Sequence, residues 1–405
     1  MAIYLGMHTA TRIAAAALPK IRSLAPRARI AAFGLYAPVN AAWLKSLGVE
    51  AVFGGESEPD LLAWVQSGVA PAETVVRRDK IEFLLPDRHG LPELQRYAKL
   101  ILADGSQKMT GFAEATRGCK HLCRHCPVVP VYEGKFRAVP VEVVIADIAQ
   151  QIALGAQHIS FGDPDFLNGP THALKVADAL HARFPDVSWD ATIKVEHLLN
   201  HAELLPRLKA CGLLFVVTAV ESVDDAILDR LAKGHTHAGF ETALANSRVL
   251  GIDLAPTFVP FTPWTTLVGY RELLATLLRL KLVEAVPPIQ LAIRLLVPQG
   301  SHLLHLPDFA AQVGAFDDAM LGYPWQADDA RVDALQTEIM AWVMDAEQSG
   351  LPRAEVFAGI WARTHAALGE VAPPFDPAQL GTVIPHHSEP WYCCAEPTET
   401  QLASF

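Results

Sequence analysis

Residues 112–127 read Phe112-Ala-Glu-Ala-Thr116-Arg-Gly-Cys119-Lys-His-Leu-Cys123-Arg-His-Cys126-Pro127. Phe112 to Thr116 has the character of a short buried strand. Three cysteines follow it directly in the spacing C-x3-C-x2-C. Three thiolates on one short loop can wrap one face of a cube-shaped iron–sulfur cluster, leaving one iron without a protein ligand. That iron is then open to a substrate or cofactor. A structural zinc site needs four ligands, and His121 or His125 could be the fourth, so zinc is the alternative. The loop's place at the C-terminal end of a strand in a βα array favours the cluster.

From Gly111 to about Pro298 strands and helices alternate. The strands are Phe112–Thr116, His158–Gly162, Val187–Lys194, Leu213–Val220, Ile252–Phe261 and Ile289–Val297. The helices are Val141–Leu154, Thr171–Phe184, Leu204–Ala210, Asp224–Ala232, Phe240–Leu250 and Tyr270–Leu282. Six such units predict an α/β fold built on a parallel, partial (β/α)6 TIM-like barrel, whose chemistry sits at the C-terminal strand ends. Upstream, strands at Ile30–Tyr36 and Glu50–Phe53 alternate with helices at Asn40–Leu47 and Pro59–Val65, predicting a small parallel α/β layer. Helices at Asp328–Ser349 and Arg353–Leu368 follow the barrel, and the end from Pro373 is irregular. The expected division is an α/β layer over 1–105, the barrel over 106–300 and a helical C-terminal region with an irregular tail over 301–405.

At about 150 residues per domain, 405 residues fit two to three domains. Hydrophobic residues make up 51% and charged residues 19%, which supports a sizeable core and excludes a mainly disordered chain. With 33 Lys and Arg against 44 Asp and Glu, the net charge of −11 argues against a nucleic-acid partner. No apolar run reaches the ~18 residues that span a bilayer, so no membrane partner is expected. Arg12, Lys20, Arg22, Arg27 and Arg29 all precede the first acidic residue, Glu50, as in some transit peptides. The strand at Ile30–Tyr36 instead places this stretch within a fold, and a soluble cytoplasmic protein is expected. The six cysteines fit reduced, cofactor-binding thiols better than bridges. Cys211 precedes an apolar strand and is expected in the core.

The triplet after the first barrel strand resembles the hallmark of the radical S-adenosylmethionine (SAM) superfamily over roughly residues 106–300. The resemblance implies a [4Fe–4S] cluster on Cys119, Cys123 and Cys126, with SAM chelating the open iron through its amino and carboxylate groups. It also implies a reductase or flavodoxin-type electron donor. His125 is then placed near the adenine, and Gly162-Asp163-Pro164-Asp165 stands where the family carries Gly-Gly-Glu against the SAM ammonium. The acceptors Asp163 and Asp165 suit an ammonium. Thr192 and Lys194 end the third strand, Glu221 and Ser222 end the fourth, and Arg294 in the sixth could pair with a carboxylate. The first layer resembles the Rossmann-like domain of cobalamin-type members. The Asp-x-His-x-x-Gly pattern is missing, since His8 is the only histidine in the first 87 residues, so no cobalamin is expected.

The tail carries Trp391-Tyr-Cys393-Cys394-Ala-Glu-Pro397. Vicinal thiolates suit a soft centre such as Cu(I) or a trivalent metalloid, and His386 and His387 could assist. A flexible tail could fold over the barrel mouth. Two inert tail thiols are the bland alternative. The motif resembles the radical SAM group named for ending in Cys-Sec-Ala-Glu-Pro or Cys-Cys-Ala-Glu-Pro. That resemblance implies cleavage of the SAM Cγ–S bond and transfer of a 3-amino-3-carboxypropyl group to trivalent arsenic, in the route to hydroxyarsinothricin. The by-product is 5′-methylthioadenosine, the substrates are SAM and arsenite, and Cys393 and Cys394 hold the arsenic. The alternatives are 5′-deoxyadenosyl chemistry on an organic substrate, and a metal- or metalloid-binding protein without catalysis.

Overall fold

The computed structural model describes residues 1–389. The first layer is a parallel sheet of β1 (Ala2–Tyr4), β2 (Ala31–Phe33), β3 (Ala51–Gly55) and β4 (Val75–Arg77), in the order β1-β2-β3-β4. Strand alternation splits its residues between two faces. Ala31, Ala51 and Phe53 pack with Trp64 of the helix Glu58–Ser67. Ala32 and Val52 belong to a second core with Leu18, Tyr36 and Leu44. That core continues into Cys119, Val128, Val131 and Tyr132, so the layer packs directly on the cysteine loop. The predicted strand at Ile30–Tyr36 is shorter, because Tyr36 already starts the helical turn Tyr36–Val39. Within the described residues the strand order never reverses, so this sheet has no crevice of the kind made where a doubly wound sheet changes direction.

The second sheet runs β12-β11-β10-β9-β6-β5-β13 and is nearly closed. Its members are β5 (Lys99–Ile101), β6 (Gln107–Ala113), β9 (His158–Phe161), β10 (Ser188–Thr192), β11 (Leu213–Glu221), β12 (Asp253–Phe258) and β13 (His386–His387). The strands from β6 to β12 are parallel, whereas β5 is antiparallel to β6 and β13 is antiparallel to β5. A small ribbon of β7 (Thr116–Gly118) and β8 (Phe136–Ala138) stands at the rim. Trp189 and Ala191 of β10 are fully buried in the core that the helices cover. Asp190 between them points to the other face, where it meets Ser160 and His158 of β9. Cys211 lies in the same core, as expected, with its thiol 3.6 Å from Asp178.

The predicted sixth strand is a correction. Ile289–Val297 begins as a 3-10 turn at Pro288–Leu291 and pairs with its neighbour only at the isolated bridge Phe261–Arg294. Pro287 and Pro288 fix φ and remove two donors at the point where a ladder would start. The long helices Ala330–Gln348 and Arg353–Ala367 share the barrel's core through Val332, Leu335, Ile339, Phe357 and Ile360. The first predicted barrel strand, Phe112–Thr116, lies further upstream: β6 runs from Gln107 to Ala113, and Thr116 belongs to the rim ribbon. Among the described residues no helix is long and apolar enough to cross a membrane.

Candidate active site

The cysteine loop leaves β7 through Gly118, whose φ of +74° is left-handed. A Cβ there would lie 2.5 Å from the Lys135 carbonyl oxygen and from the Tyr132 ring. Only glycine meets both conditions. Gly118→Ala is therefore expected to cost about 1–3 kcal/mol in urea unfolding and to lower iron uptake, because Cys119 is the next residue. A variant of wild-type stability with full iron content would refute this reading of the turn.

Beyond Gly118 the loop is pinned at both ends. The Lys120 amide donates to Asn168 Oδ1 at 3.1 Å, and Asn168 Nδ2 donates to the Gly118 carbonyl at 3.2 Å. The Arg124 amide donates to the Leu231 carbonyl, and its guanidinium donates to the carbonyls of Asp229 and Arg230. The Ser301 hydroxyl and Leu303 amide both donate to the Arg124 carbonyl. Cys119 and Cys123 are buried and Cys126 is half-buried, all as free thiols. Burial pushes the Cys119 thiol up to about 11, with the Asp165 carboxylate adding to the rise. Such a thiol becomes a thiolate when a cation binds it. Three sulfurs on a fixed loop in a partly dry pocket thus suit an iron–sulfur cluster. Neither loop histidine completes a zinc set in the described geometry: His121 faces His197 and Asp165, and His125 faces Glu221.

Two polar clusters flank the cysteines. In the first, Glu221 ends β11 with a φ of +69°. Its Oε1 accepts from Lys233 Nζ at 3.1 Å and lies 3.2 Å from His125 Nε2. All three groups are buried. Burial alone would raise the Glu221 carboxyl, but the Lys233 ammonium and the His125 hydrogen bond outweigh it and hold it at about 2. Burial lowers Lys233, and Glu221 with the nearby Cys123 and Cys126 more than restores it, so the ammonium is raised above its ordinary value. A buried, charged lysine therefore faces two of the three cysteines.

In the second cluster, Lys194 Nζ donates to Glu196 Oε2 at 3.0 Å, and that oxygen lies 3.5 Å from His121 Nδ1. His121 Nε2 lies 3.1 Å from His197 Nε2, and His197 Nδ1 lies 2.7 Å from Asp165 Oδ2. Burial, followed by the Lys194 charge, lowers His121 to about 4. Burial and then Lys233 do the same to His235. Burial beside lysine side chains thus favours the neutral form of His121 and His235.

The structure gathers His125, Asp165, Lys194 and Glu221 around the cysteines and separates other sequence-predicted residues from this role. Asp163 accepts from the Ala115 amide at 2.9 Å and the Thr116 hydroxyl at 2.6 Å, and burial raises it to about 7. Its oxygens are spent on tying β9 to the rim. Gly162 donates its amide to Ala113, and a Cβ there would lie 2.0 Å from the Phe112 ring, so it serves close packing. Arg294 is committed elsewhere: it pairs with Asp333 at 2.5 Å, donates to the Trp325 carbonyl and stacks on the Trp325 ring. Cys393 and Cys394 lie outside the described residues. Lys233, His235, His197 and Glu196 belong to the site although sequence reasoning passed over them. Gly234, between Lys233 and His235, has a φ of +75° and would place a Cβ 2.6 Å from Glu196.

Residues 114–265 match the radical SAM superfamily, so a domain of that superfamily is present. Such a domain implies a [4Fe–4S] cluster and SAM. No curated protein matches the chain. Among solved structures, the chain is similar to the cobalamin-dependent SAM radical enzyme OxsB with aqua-cobalamin bound, at a TM-score of 0.63 and 15% identity. The match covers 85% of this chain and 58% of OxsB, so the chain spans little more than half the length of that protein. It is also similar to the radical SAM methyltransferase TsrM from Kitasatospora setae, with tryptophan and a SAM analog bound, at a TM-score of 0.59 and 16% identity. That match covers 78% of this chain and 68% of TsrM. At these identities the likeness is one of fold.

Proposed function

We propose that this radical SAM chain cleaves the Cγ–S bond of SAM and transfers the 3-amino-3-carboxypropyl group to trivalent arsenic, leaving 5′-methylthioadenosine. The observation that carries this reading is the Cys393-Cys394-Ala-Glu-Pro motif, which resembles the end of ArsL of arsinothricin biosynthesis. The direction of the last described strand supports it. Because β13 is antiparallel to β5 and β5 to β6, β13 runs the same way as the barrel strands, towards the rim that carries the cysteine loop. His387 stands level with Leu100 and hence with Lys108. From His387 to Cys393 is six residues, as is Lys108 to Glu114 at the rim. Six residues extend up to about 20 Å, so chain length allows the thiols to reach the mouth.

Cys119, Cys123 and Cys126 would hold the cluster, which supplies an electron to the SAM sulfonium when bound. Lys233 offers a buried cation for the SAM carboxylate, and Glu196 offers an acceptor for its ammonium. His125 closes the side where the adenine is expected. Cys393 and Cys394 would hold As(III), which is soft and thiophilic. In the net reaction, SAM and As(OH)3 take up two electrons and one proton. The Cγ–S bond breaks, a C–As bond forms, and 5′-methylthioadenosine, water and a trivalent arsenical leave. A reductase or flavodoxin-type donor would supply the electrons.

We further infer that the chain works without cobalamin, unlike OxsB, whose structure holds it. His8 is buried with Nε2 on the Met320 carbonyl at 2.7 Å, and the face of the first layer packs on Val128, Val131 and Tyr132.

The tail gives a direct test. Changing Cys393 and Cys394 to serine together is expected to abolish arsenite capture and alkylarsenic formation while iron and acid-labile sulfide stay at wild-type levels. Unchanged arsenite binding would remove the tail from the reaction, and loss of iron would assign it to the cluster instead.

A further inference from the structure

Two clusters among the described residues bring metal-ligand side chains together. The first is closed by hydrogen bonds. Asp190 Oδ1 is shared by His158 Nε2 at 2.8 Å and His387 Nε2 at 2.9 Å, its Oδ2 accepts from Ser160, and His158 Nδ1 meets Ser188. Every facing atom there has a partner, and nothing is left for an ion.

The second cluster is His121, Asp165 and His197, and it is not closed. Asp165 is 0% exposed and His197 2%. Asp165 Oδ2 and His197 Nδ1 lie 2.7 Å apart, yet neither has an aligned hydrogen bond. Leaving two such buried atoms unsatisfied is destabilising. Asp165 Oδ2 thus faces two imidazoles with no aligned N–H from either. We propose that His121 Nε2, His197 Nε2 and Asp165 Oδ2 bind one divalent d-block cation of the zinc or ferrous class.

Three observations support the assignment. His121 Nε2 lies 3.1 Å from His197 Nε2 and 3.6 Å from Asp165 Oδ2. Those spacings bracket the ~3.3 Å edge of a tetrahedron built on bonds of 2.0–2.1 Å. The far nitrogen of His121, Nδ1, faces Glu196 Oε2 at 3.5 Å, and Lys194 fixes that carboxylate from its other side. A carboxylate behind a ligating imidazole is the usual outer support of a metal-bound histidine. The His121 side chain is 15% exposed, which gives the ion a way in. The donor set of two imidazoles and one carboxylate suits Zn2+ or Fe2+ and leaves coordination positions open. The site uses none of the three cysteine sulfurs, although His121 lies between Cys119 and Cys123 in the chain. A bound ion would clamp the cysteine loop to the helix Val195–Asn200. It stands whether or not the tail captures arsenic.

The test uses the full chain with its cluster reconstituted anaerobically, washed with chelator and given Zn2+. The expected result is one tightly held zinc per chain beyond the cluster iron, with only nitrogen and oxygen neighbours in zinc K-edge absorption. His197→Ala and Asp165→Asn should weaken zinc binding by more than about a hundredfold, the upper range for losing an outer partner alone. Both side chains are buried, so His121→Gln serves as the more exposed third variant, and retained iron reports an intact fold. Absence of a retained zinc in the wild type would overturn the site. So would sulfur neighbours, or zinc that survives these changes and disappears when Cys393 and Cys394 are changed to serine.

Discussion

Serine at Cys119, Cys123 or Cys126 is expected to drop iron from about four atoms per chain to below about one and to take SAM cleavage to background. All three sulfurs come from one loop, and the only other cysteine among the described residues, Cys211, sits in the core beside Asp178. The serine hydroxyl matches the sulfur in shape but binds soft iron poorly and ionises far less readily than a thiol. The fold should survive. Cys119 is buried against Val128 and Tyr132, so its hydroxyl would add about 1–3 kcal/mol of unsatisfied polarity there, while half-buried Cys126 costs less. Iron, sulfide and circular dichroism measured together decide the matter. A variant that keeps three or more irons, or a wild type whose cysteine sulfurs hold zinc in place of iron, would contradict the ligand assignment.

The second large effect is expected at the buried pair Glu221–Lys233. Glu221→Gln leaves the Lys233 ammonium without its counter-charge, and Lys233→Met leaves the carboxylate with only His125. Breaking one side of a buried pair costs about 3–5 kcal/mol, whereas removing both partners is close to neutral. The double change to Gln and Met should therefore be more stable than the sum of the single changes predicts. Glu221 also ties stability to pH. Its folded value of about 2 lies below its ordinary 4.5, so the native state binds fewer protons than the unfolded chain. The stability it contributes is full above about pH 4.5 and is lost as pH falls towards 2. Urea unfolding across that window should show an acid limb in the wild type that is flatter in Glu221→Gln. An equal limb in both would exclude Glu221 as its source. In Lys233→Met that still holds iron, SAM affinity should fall by about tenfold or more, as expected for a lost charge-assisted contact.

The parts legible in the sequence were those with a strong local signature. C-x3-C-x2-C needs no tertiary information, and buried parallel strands such as Leu213–Glu221 read as nearly continuous apolar runs. The strands β1 and β4 are only three residues long, too short for any periodicity to show. Ile289–Val297 has strand composition, and the two prolines before it decide otherwise. Asp163 and Asp165 are indistinguishable in sequence, both acceptors beyond a strand. The fold turns one onto backbone and hydroxyl donors and the other towards two histidines. Lys233 could not be read at all, because its role depends on the helix Asp225–Arg230 carrying the chain back to the end of β11.

The nucleoside formed from SAM distinguishes aminocarboxypropyl transfer from 5′-deoxyadenosyl chemistry. The reconstituted chain is incubated without oxygen with SAM, dithionite and arsenite, and the products are separated and weighed by mass spectrometry. The expected products are 5′-methylthioadenosine and, in step with it, an arsenical bearing one 3-amino-3-carboxypropyl group. Formation of 5′-deoxyadenosine without methylthioadenosine would contradict the transfer and leave a radical SAM enzyme that acts on an organic substrate.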